Sequence, residues 1–442
     1  MAQIDRGTFE NFRNSIDPAW IEEALAASGS ASLRKRRLPA EQVVWLVLGM
    51  ALFRDLAIHA VVKVLDLAFP SSSGRGMANS AVSDARGRVG SKPLMWLFNR
   101  CSQQWAAQSA DQLRWHELAI LGLDGSTLRA PDTAENRAHF TAHGGHRGAS
   151  AYPLVRLVTL MVLRSHLISA ARFGPFSKSE QAYAKELWPQ VRSHSLVIVD
   201  RNFFGAPTLI PLARDCEDRH WLTRAKAKLR WTTIRKLGRV DEIVEMNVSR
   251  DARRQDPTLP KTWQMRAIHY QRRGFATSVL LTSMLDSERF PADEIIALYH
   301  ERWELELGYD EVKTEMLDRE EAIRSQGVDG VEQEIWGVLL AYNLVRLEIT
   351  RVAVEAGVPP IRISFVAAYH YIRHALVVAG FLSPGALPKH LVRMRRDVAA
   401  FVLPPRRPKR CYPRAVKIKM SPYPRMRSRV SPAPADAPKA VV

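Results

Sequence analysis

The 442-residue chain has only three cysteines, Cys101, Cys216 and Cys411, too far apart to make a zinc spacing. Their scarcity excludes a small disulfide-stapled fold and points to free thiols in a reducing compartment. Long apolar runs are also lacking. The longest, Val43 to Phe53, is too short to span a bilayer, and the polar opening MAQIDRGTFENFRNS has no signal-peptide layout. A soluble, cytoplasmic protein with no membrane partner is therefore expected. Acidic residues are under-represented: 45 Asp and Glu stand against 64 Lys and Arg, for a net charge of +19. Such an excess calls for a polyanionic partner. Nucleic acid is the commonest, although ribosomal and membrane-surface proteins share the signal. The length suffices for two or three domains with a substantial core.

What the chain does have is one helical stretch dense in charge. Residues 291–316, PADEIIALYHERWELELGYDEVKTEM, open on proline, carry Asp293 and Glu294 in the first turn and contain no internal proline. They are predicted to form one helix, weakened only by Gly308. At roughly 100° per residue, Leu298, Leu305, Tyr309, Val312 and Met316 line one narrow apolar stripe. Tyr299, Arg302, Glu306 and Lys313 sit on its shoulder, while Glu301, Glu304, Glu311 and Glu315 point mostly elsewhere. A carboxylate beside a phenol, a guanidinium and an ammonium suits a site that holds both a cation and a phosphate. The same residues equally suit a surface on which Arg302 and Glu306 form an i,i+4 pair worth a few tenths of a kcal/mol. Asp310, one turn on and almost on the same face, is a rival to Glu306 that geometry leaves open, and also a candidate i,i+3 partner for Lys313.

Two more acids end predicted strands. Residues 117–124, ELAILGLD, form an apolar run stopping at Asp124-Gly125. STLRA follows, so the pattern predicts a strand, a tight turn at Asp-Gly and a return strand, with Asp124 either a turn residue or a functional acid. Strands are expected at 154–163 and 167–173 and a helix at 179–188. A further apolar strand, LVIVD at 196–200, ends on Asp200, before a helix opening at Arg201. In open α/β sheets ligands gather at the carboxyl ends of strands, which suits Asp200 to chemistry. His139, His143 and His146 have no ligand partners at metal spacing and read as a solvated loop.

The remainder frames these acids. Residues 1 to about 110 read as all-α, with helices opening at Asp17-Pro18 and Pro39, a third over 56–69, a basic one over 79–88 that carries Arg86 and Arg88, and a closing segment at 93–105. This is compatible with a helix-turn-helix-like DNA reader or with a packing module. Asp200 and Glu306 are separated by 105 residues, more than one connection needs. Strands at 240–248, 263–270 and 278–284 mark an insertion there, in which Trp231 and Trp263 are read as buried. Helices at 331–355, 363–379 and 390–401 close the chain. From Pro404 onward 11 Lys or Arg stand against one acid, Asp436, among nine prolines; such a tail contacts phosphates without reading sequence, or simply solubilises.

The spacing Tyr299-x2-Arg302-x3-Glu306-x6-Lys313 resembles the tyrosine-arginine-glutamate-lysine motif of the insertion-sequence-4 family of DDE transposases. LGLDGSTLRAP resembles that family's first-aspartate block, AYPLVRLVTL its following strand and VIVDRNFF its second-aspartate block. HWLTRAK, IWGVLLAYNLVR and the amino-terminal LRKRRLPAEQVVWLVLGMALFRD also match, so the resemblance covers most of residues 10 to 425. It implies an α/β fold: a ribonuclease H-like catalytic core interrupted by a β-rich insertion and preceded by an all-α domain. The implied boundaries are 1–110 for DNA-end binding, 111–226 for the first part of the core, 227–285 for the insertion, 286–402 for the acidic and closing helices, and 403–442 for the basic tail. The resemblance further implies a transposase in which Asp124, Asp200 and Glu306, rather than Asp310, are catalytic. They would hold two Mg2+ ions about 4 Å apart, with Mn2+ able to substitute. Tyr299, Arg302, Lys313, Arg86, Arg88 and Arg201 would contact DNA. The expected partners are terminal inverted repeats and target DNA, engaged by a homodimer. A catalytically inactive DNA-binding regulator and a purely hydrolytic nuclease of the same fold are the rival expectations.

Overall fold

The computed structural model describes residues 15–31, 38–65, 67, 78–142, 152–271, 276–318, 322–379, 382–383 and 385–404. The predicted contacts of His143 and His146, and of the tail beyond Pro404, lie outside these residues.

The amino-terminal part is helical, as its pattern predicts. Helix α1 (Pro18–Ala27) begins with Asp17 accepting from the Ala19 N–H at 2.9 Å and proline in the first turn, which satisfies one of the donors a helix start leaves unpaired. It is followed by α2 (Ala40–Leu52), α3 (Ile58–Val64), α4 (Asn79–Val89) and α5 (Lys92–Gln112). Helix α2 is apolar all round because it is enclosed all round: from Val43 to Leu52 every residue is buried. Cys101 and Cys216 are free thiols.

Next come β1 (Ala119–Arg129), α6 (Ala134–Phe140), β2 (Leu154–Val162), β3 (Ile168–Pro175), α7 (Glu180–Leu187), β4 (Ser195–Val199), α8 (Ala206–Arg214) and β5 (Arg219–Arg224). These strands lie in the order β3-β2-β1-β4-β5. The pairs β1–β4 and β4–β5 are parallel, and β1–β2 and β2–β3 antiparallel. An antiparallel meander leading into parallel strands with helical crossovers is the ribonuclease H-like arrangement.

The hairpin expected at Asp124-Gly125 does not form. β1 runs straight through, with Asp124 opposite Thr159 and Gly125 opposite Val158 on β2. STLRA is the second half of one 11-residue strand. The glycine is needed for a close approach instead of a turn: a Cβ there would lie 2.6 Å from Glu180 Cδ. His139, read as loop, lies on α6 with its ring edge-on to Phe140 at 4.7 Å.

The insertion supplies β6 (Thr232–Lys236), β7 (Asp241–Asn247), α9 (Arg250–Gln255), β8 (Thr262–Tyr270) and β9 (Ser278–Thr282). It does not stand apart. β9 pairs antiparallel with β5, so one nine-stranded sheet continues as β5-β9-β8-β7-β6. Two elements escaped the sequence pattern: β6, whose side chains are all exposed and so show no apolar alternation, and α9, which buries no residue and is started by the Ser249 cap. Trp263 packs half-buried on Phe204 with the rings stacked at 5.4 Å, and Trp231 is also half-buried, its Nε1 donating to Glu242 at 3.4 Å.

The chain then enters a long helical stretch considered below and ends in α12 (Val328–Glu355), α13 (Phe365–Ala379) and α14 (Leu387–Ala399). Helix α12 is the axis of the molecule: 21 of its 28 residues are buried, against α2, α5, α13 and α14. One apolar cluster therefore runs from Ile16 to Val398. The amino-terminal helices share the core of the sheet and do not form a separate body.

Candidate active site

Residues 291–316 are helical throughout but do not form one uniform α-helix. Helix α10 (Ala292–Tyr299) passes through a 3-10 turn (His300–Arg302) into α11 (Trp303–Asp310), and the final turns (Glu311–Met316) are π-helical. The apolar stripe is where it was expected, with Leu298, Leu305, Tyr309, Val312 and Met316 all buried. Glu304, off that stripe, is buried as well, at 4% exposure, because its flank of the helix meets His166.

The stretch packs on the sheet at two glycines. Gly122 of β1 allows Leu305 to approach, and Gly308, on the stretch itself, admits Met161 of β2. Between these contacts Tyr309 donates its hydroxyl to the Asp124 carbonyl at 2.7 Å and shares a 2.8 Å hydrogen bond with Thr159 Oγ1. Burial holds this phenol strongly protonated. Tyr309 was legible only as an apolar stripe residue, yet a buried tyrosine must find a partner for its hydroxyl, and here the partner is the backbone of the first aspartate.

Asp124 and Asp200 come together because β1 and β4 are parallel neighbours: Leu123 is opposite Val199, and each acid is the next residue. Burial pushes the Asp124 carboxyl up to about 6. The Gly125 N–H, at 2.8 Å from Oδ1, and Arg302 pull it back down, while Asp200 and Glu180 push it further up. Asp200 caps the short 3-10 turn Arg201–Phe203, accepting from the Asn202 N–H at 3.4 Å. Glu180 is an acid the sequence reading missed. It sits at the start of α7 against Gly125 and is paired with Arg156 at 3.0 Å.

The phosphate-type donors of the motif also gather here. Tyr299 is buried, and its phenol is pushed up first by that burial and next, after an opposing pull from Arg302, by Asp200. Lys313 Nζ donates to Ser126 Oγ at 3.2 Å, two residues beyond Asp124. Asp310, expected beside Lys313, accepts from Thr314 Oγ1 at 2.6 Å. Arg201 is exposed immediately after Asp200.

The third carboxylate is engaged by a side chain of its own helix. Glu306 is 40% exposed and its Oε1 accepts from Arg302 Nη2 at 2.7 Å. Among the described residues no three His, Cys, Asp or Glu side chains are grouped so as to hold a metal ion. The cause is the i,i+4 spacing, which sets a permanent cation one turn before the glutamate. That cation also acts on Asp124, and Asp200 acts on it, so the Arg302 guanidinium supplies positive charge to all three acids. A set of hard oxygen donors that collects a guanidinium suits a hard divalent cation.

The structure places Arg86 against the protein, its Nε on Gln333 Oε1 and its Nη2 on Ser325 Oγ, both at 2.9 Å. It ties α4 to α12. Arg88, two residues on, is exposed.

Acids paired across neighbouring parallel strands under a helix that carries tyrosine, arginine, glutamate and lysine, on a ribonuclease H-like sheet, define a DDE-type transposase. Residues 6–99 match the family described as insertion element 4 transposase N-terminal, and residues 115–344 match the transposase DDE domain. Transposase InsG for insertion sequence element IS4 of Escherichia coli K12 is 37% identical over 95% of this chain and 94% of its own. Putative transposase InsZ of the same organism is 33% identical over 48% of this chain and 71% of its own. A piggyBac transposase synaptic complex with hairpin DNA is similar at 12% identity and a TM-score of 0.45, covering 92% and 87% of the two chains, too slight a likeness to carry weight. The chain belongs to the insertion-sequence-4 family of DDE transposases. Among the described residues no helix is long and apolar enough to cross a membrane.

Proposed function

We propose that this transposase cuts and rejoins DNA at the terminal inverted repeats of an insertion sequence, with Asp124, Asp200 and Glu306 holding two Mg2+ ions. The observation that carries this reading is the side-by-side placement of Asp124 and Asp200 on neighbouring parallel strands, with Arg302, bonded to Glu306, close enough to act on Asp124 and to be acted on by Asp200. When bound, the cations activate the attacking oxygen and stabilise the leaving one. Asp124, whose burial favours the protonated acid, would give up that proton on holding a cation. Glu306 would be free to help hold it once Arg302 turned its fork to a phosphate oxygen. Tyr299 and Lys313 bind adjacent phosphates and narrow the freedom of the scissile group. Tyr309 fixes the helix carrying Glu306 and Lys313 to the strand carrying Asp124.

Water is the first nucleophile: its oxygen bonds to phosphorus and one proton leaves to solvent, while the P–O3′ bond breaks and the departing O3′ takes up a proton to become a free 3′-hydroxyl. That hydroxyl then attacks a phosphodiester of the other strand or of target DNA, displacing a second 3′-oxygen. Arg88, Arg201 and the basic tail supply contacts outside the cut. Two ends require two such sites, hence a homodimer on DNA. The test is Asp124→Asn and, separately, Asp200→Asn. Each retains DNA binding, because the basic surfaces are untouched, and loses Mg2+-dependent cleavage of a terminal-repeat duplex. Cleavage near the parent rate by either variant removes that acid from the site.

A further inference from the structure

Beneath the acidic helical stretch lies a buried ionic cluster that the proposed chemistry does not use. Arg346, on α12 and 1% exposed, directs its fork at Glu311: Nε donates to Oε2 at 2.9 Å and Nη2 to Oε1. The Tyr342 hydroxyl donates to the same carboxylate at 2.8 Å. His166, in the turn between β2 and β3, bridges Arg346 Nη2 at 2.8 Å to Glu304 Oε2 at 3.0 Å. Three elements, the β2–β3 turn, the acidic stretch and α12, are thus joined by directional bonds.

We propose that Glu311 and Arg346, with His166 and Tyr342, are positioning residues that set the height and rotation of Glu306 over Asp124 and Asp200. The proposal rests on the reading of Glu306 as a metal ligand. Three features support it. First, a buried ion pair generally does no better for stability than apolar side chains of similar volume, whereas a forked, multiply bonded one specifies geometry. Second, the two clamped glutamates, 304 and 311, are seven residues apart, close to two turns, and they bracket Glu306 and Tyr309. Third, the π-helical turns begin at Glu311, with the Leu317 N–H reaching the Val312 carbonyl at 3.0 Å. Such turns are uncommon and frequent at functional sites. Here the wide turns follow an anchored residue and carry Lys313 to Ser126 on β1. His166 itself has a φ of +61°, a backbone conformation that side chains with a Cβ seldom adopt, and so places its ring between the two charges.

The test compares the parent with Glu311→Met/Arg346→Met, which removes both charges together, and with Tyr342→Phe, which removes one neutral hydrogen bond. Thermal melting and DNA binding in EDTA report the fold and the DNA surface. Mn2+ affinity of the DNA complex, by electron paramagnetic resonance of free Mn2+, and the Mg2+ dependence of end cleavage report the site. The double variant is expected to melt and bind DNA like the parent, with metal affinity weakened about tenfold or more, as for other groups that orient ligands, and a lower cleavage rate at saturating metal. Tyr342→Phe shows a smaller change in the same direction. Parent metal affinity in a folded double variant overturns the proposal. If the double variant does not fold, unchanged metal affinity in Tyr342→Phe overturns it. Cleavage by a Glu306→Gln control removes instead the reading on which the proposal rests.

Discussion

Two glycines let the acidic stretch lie close to the sheet, and replacing each with alanine should have unequal effects. At Gly122 a Cβ would stand 2.5 Å from Leu163 Cδ2 and 2.8 Å from both Cγ and Cδ1 of Leu305. Carbon atoms pack at about 3.5–4.0 Å, so either the helix lifts by roughly 1 Å or two buried leucines leave their rotamers. Overpacking of this kind costs about 1–3 kcal/mol, and alanine recovers about 0.5–1 kcal/mol of backbone entropy. The net destabilisation is about 0.5–2 kcal/mol. At Gly308 the Cβ would crowd the thioether end of Met161, at 2.5 Å from Cε and 2.8 Å from Sδ, and touch the Tyr342 hydroxyl at an ordinary 3.6 Å. That end is flexible and moves cheaply, while helix propensity gains about 1 kcal/mol, so Gly308→Ala is expected to be neutral or slightly stabilising. Urea unfolding of the two variants measures the difference. Cleavage should follow for Gly122→Ala, because lifting the helix breaks the Tyr309–Asp124 bond of 2.7 Å. A Gly122→Ala protein as stable and as active as the parent would refute the close-packing argument.

Arg86→Ala should lower stability by about 1–3 kcal/mol in urea unfolding, because it leaves Gln333 and Ser325 without their charged partner, whereas Arg88→Ala should leave stability unchanged and reduce the preference for terminal repeats over random DNA. An effect of Arg86→Ala on DNA preference alone would reverse that assignment. Asp218 accepts from Arg289 at 2.8 and 2.7 Å, from His194 at 3.1 Å and from His220 at 2.9 Å, and the Arg289 bonds foremost hold its carboxyl well below the usual range. Its folded pKa is depressed, so its contribution is fully present above the unfolded value of about 3.9 and is lost as pH falls through the folded one. Asp218→Asn should therefore cost about 1–2 kcal/mol near neutral pH, discounted for the partly exposed Arg289, and the gap from the parent should close below about pH 4. A gap that is independent of pH would contradict this linkage.

The chemistry of this chain was legible in its sequence where local pattern and spacing carry it. The strand end at Asp200 follows from an apolar run that stops on an acid, the strand leading to Asp124 follows from its apolar composition, and the shoulder of Tyr299, Arg302, Glu306 and Lys313 follows from a helical projection. What the pattern hid depends on partners far along the chain. Asp124-Gly125 has the composition of a turn, but Gly125 is there because Glu180 packs against β1, and tertiary pairing with β2 overrides the local signal. Glu304 and Glu311 project outward on a uniform helix. Arg346 and His166, far along the chain, pack on their flank and enclose both. Arg86 looked like a DNA contact because a basic helix shows its charge but not which arginine α12 engages. The amino-terminal helices were separable on composition, yet α2 and α5 share their apolar faces with α12, a burial that no local window reports.

The account stands or falls on which acid of the stretch 303–316 joins Asp124 and Asp200. Glu306 is held by Arg302, the group that also serves both aspartates. Asp310 is exposed and bonded to Thr314. The decisive measurement is Mg2+-dependent cleavage of a terminal-repeat duplex by Glu306→Gln and by Asp310→Asn, each first shown to be folded and to bind the duplex. The account predicts no cleavage by Glu306→Gln and most of the parent rate for Asp310→Asn; the opposite pattern would contradict it and transfer the third ligand to Asp310.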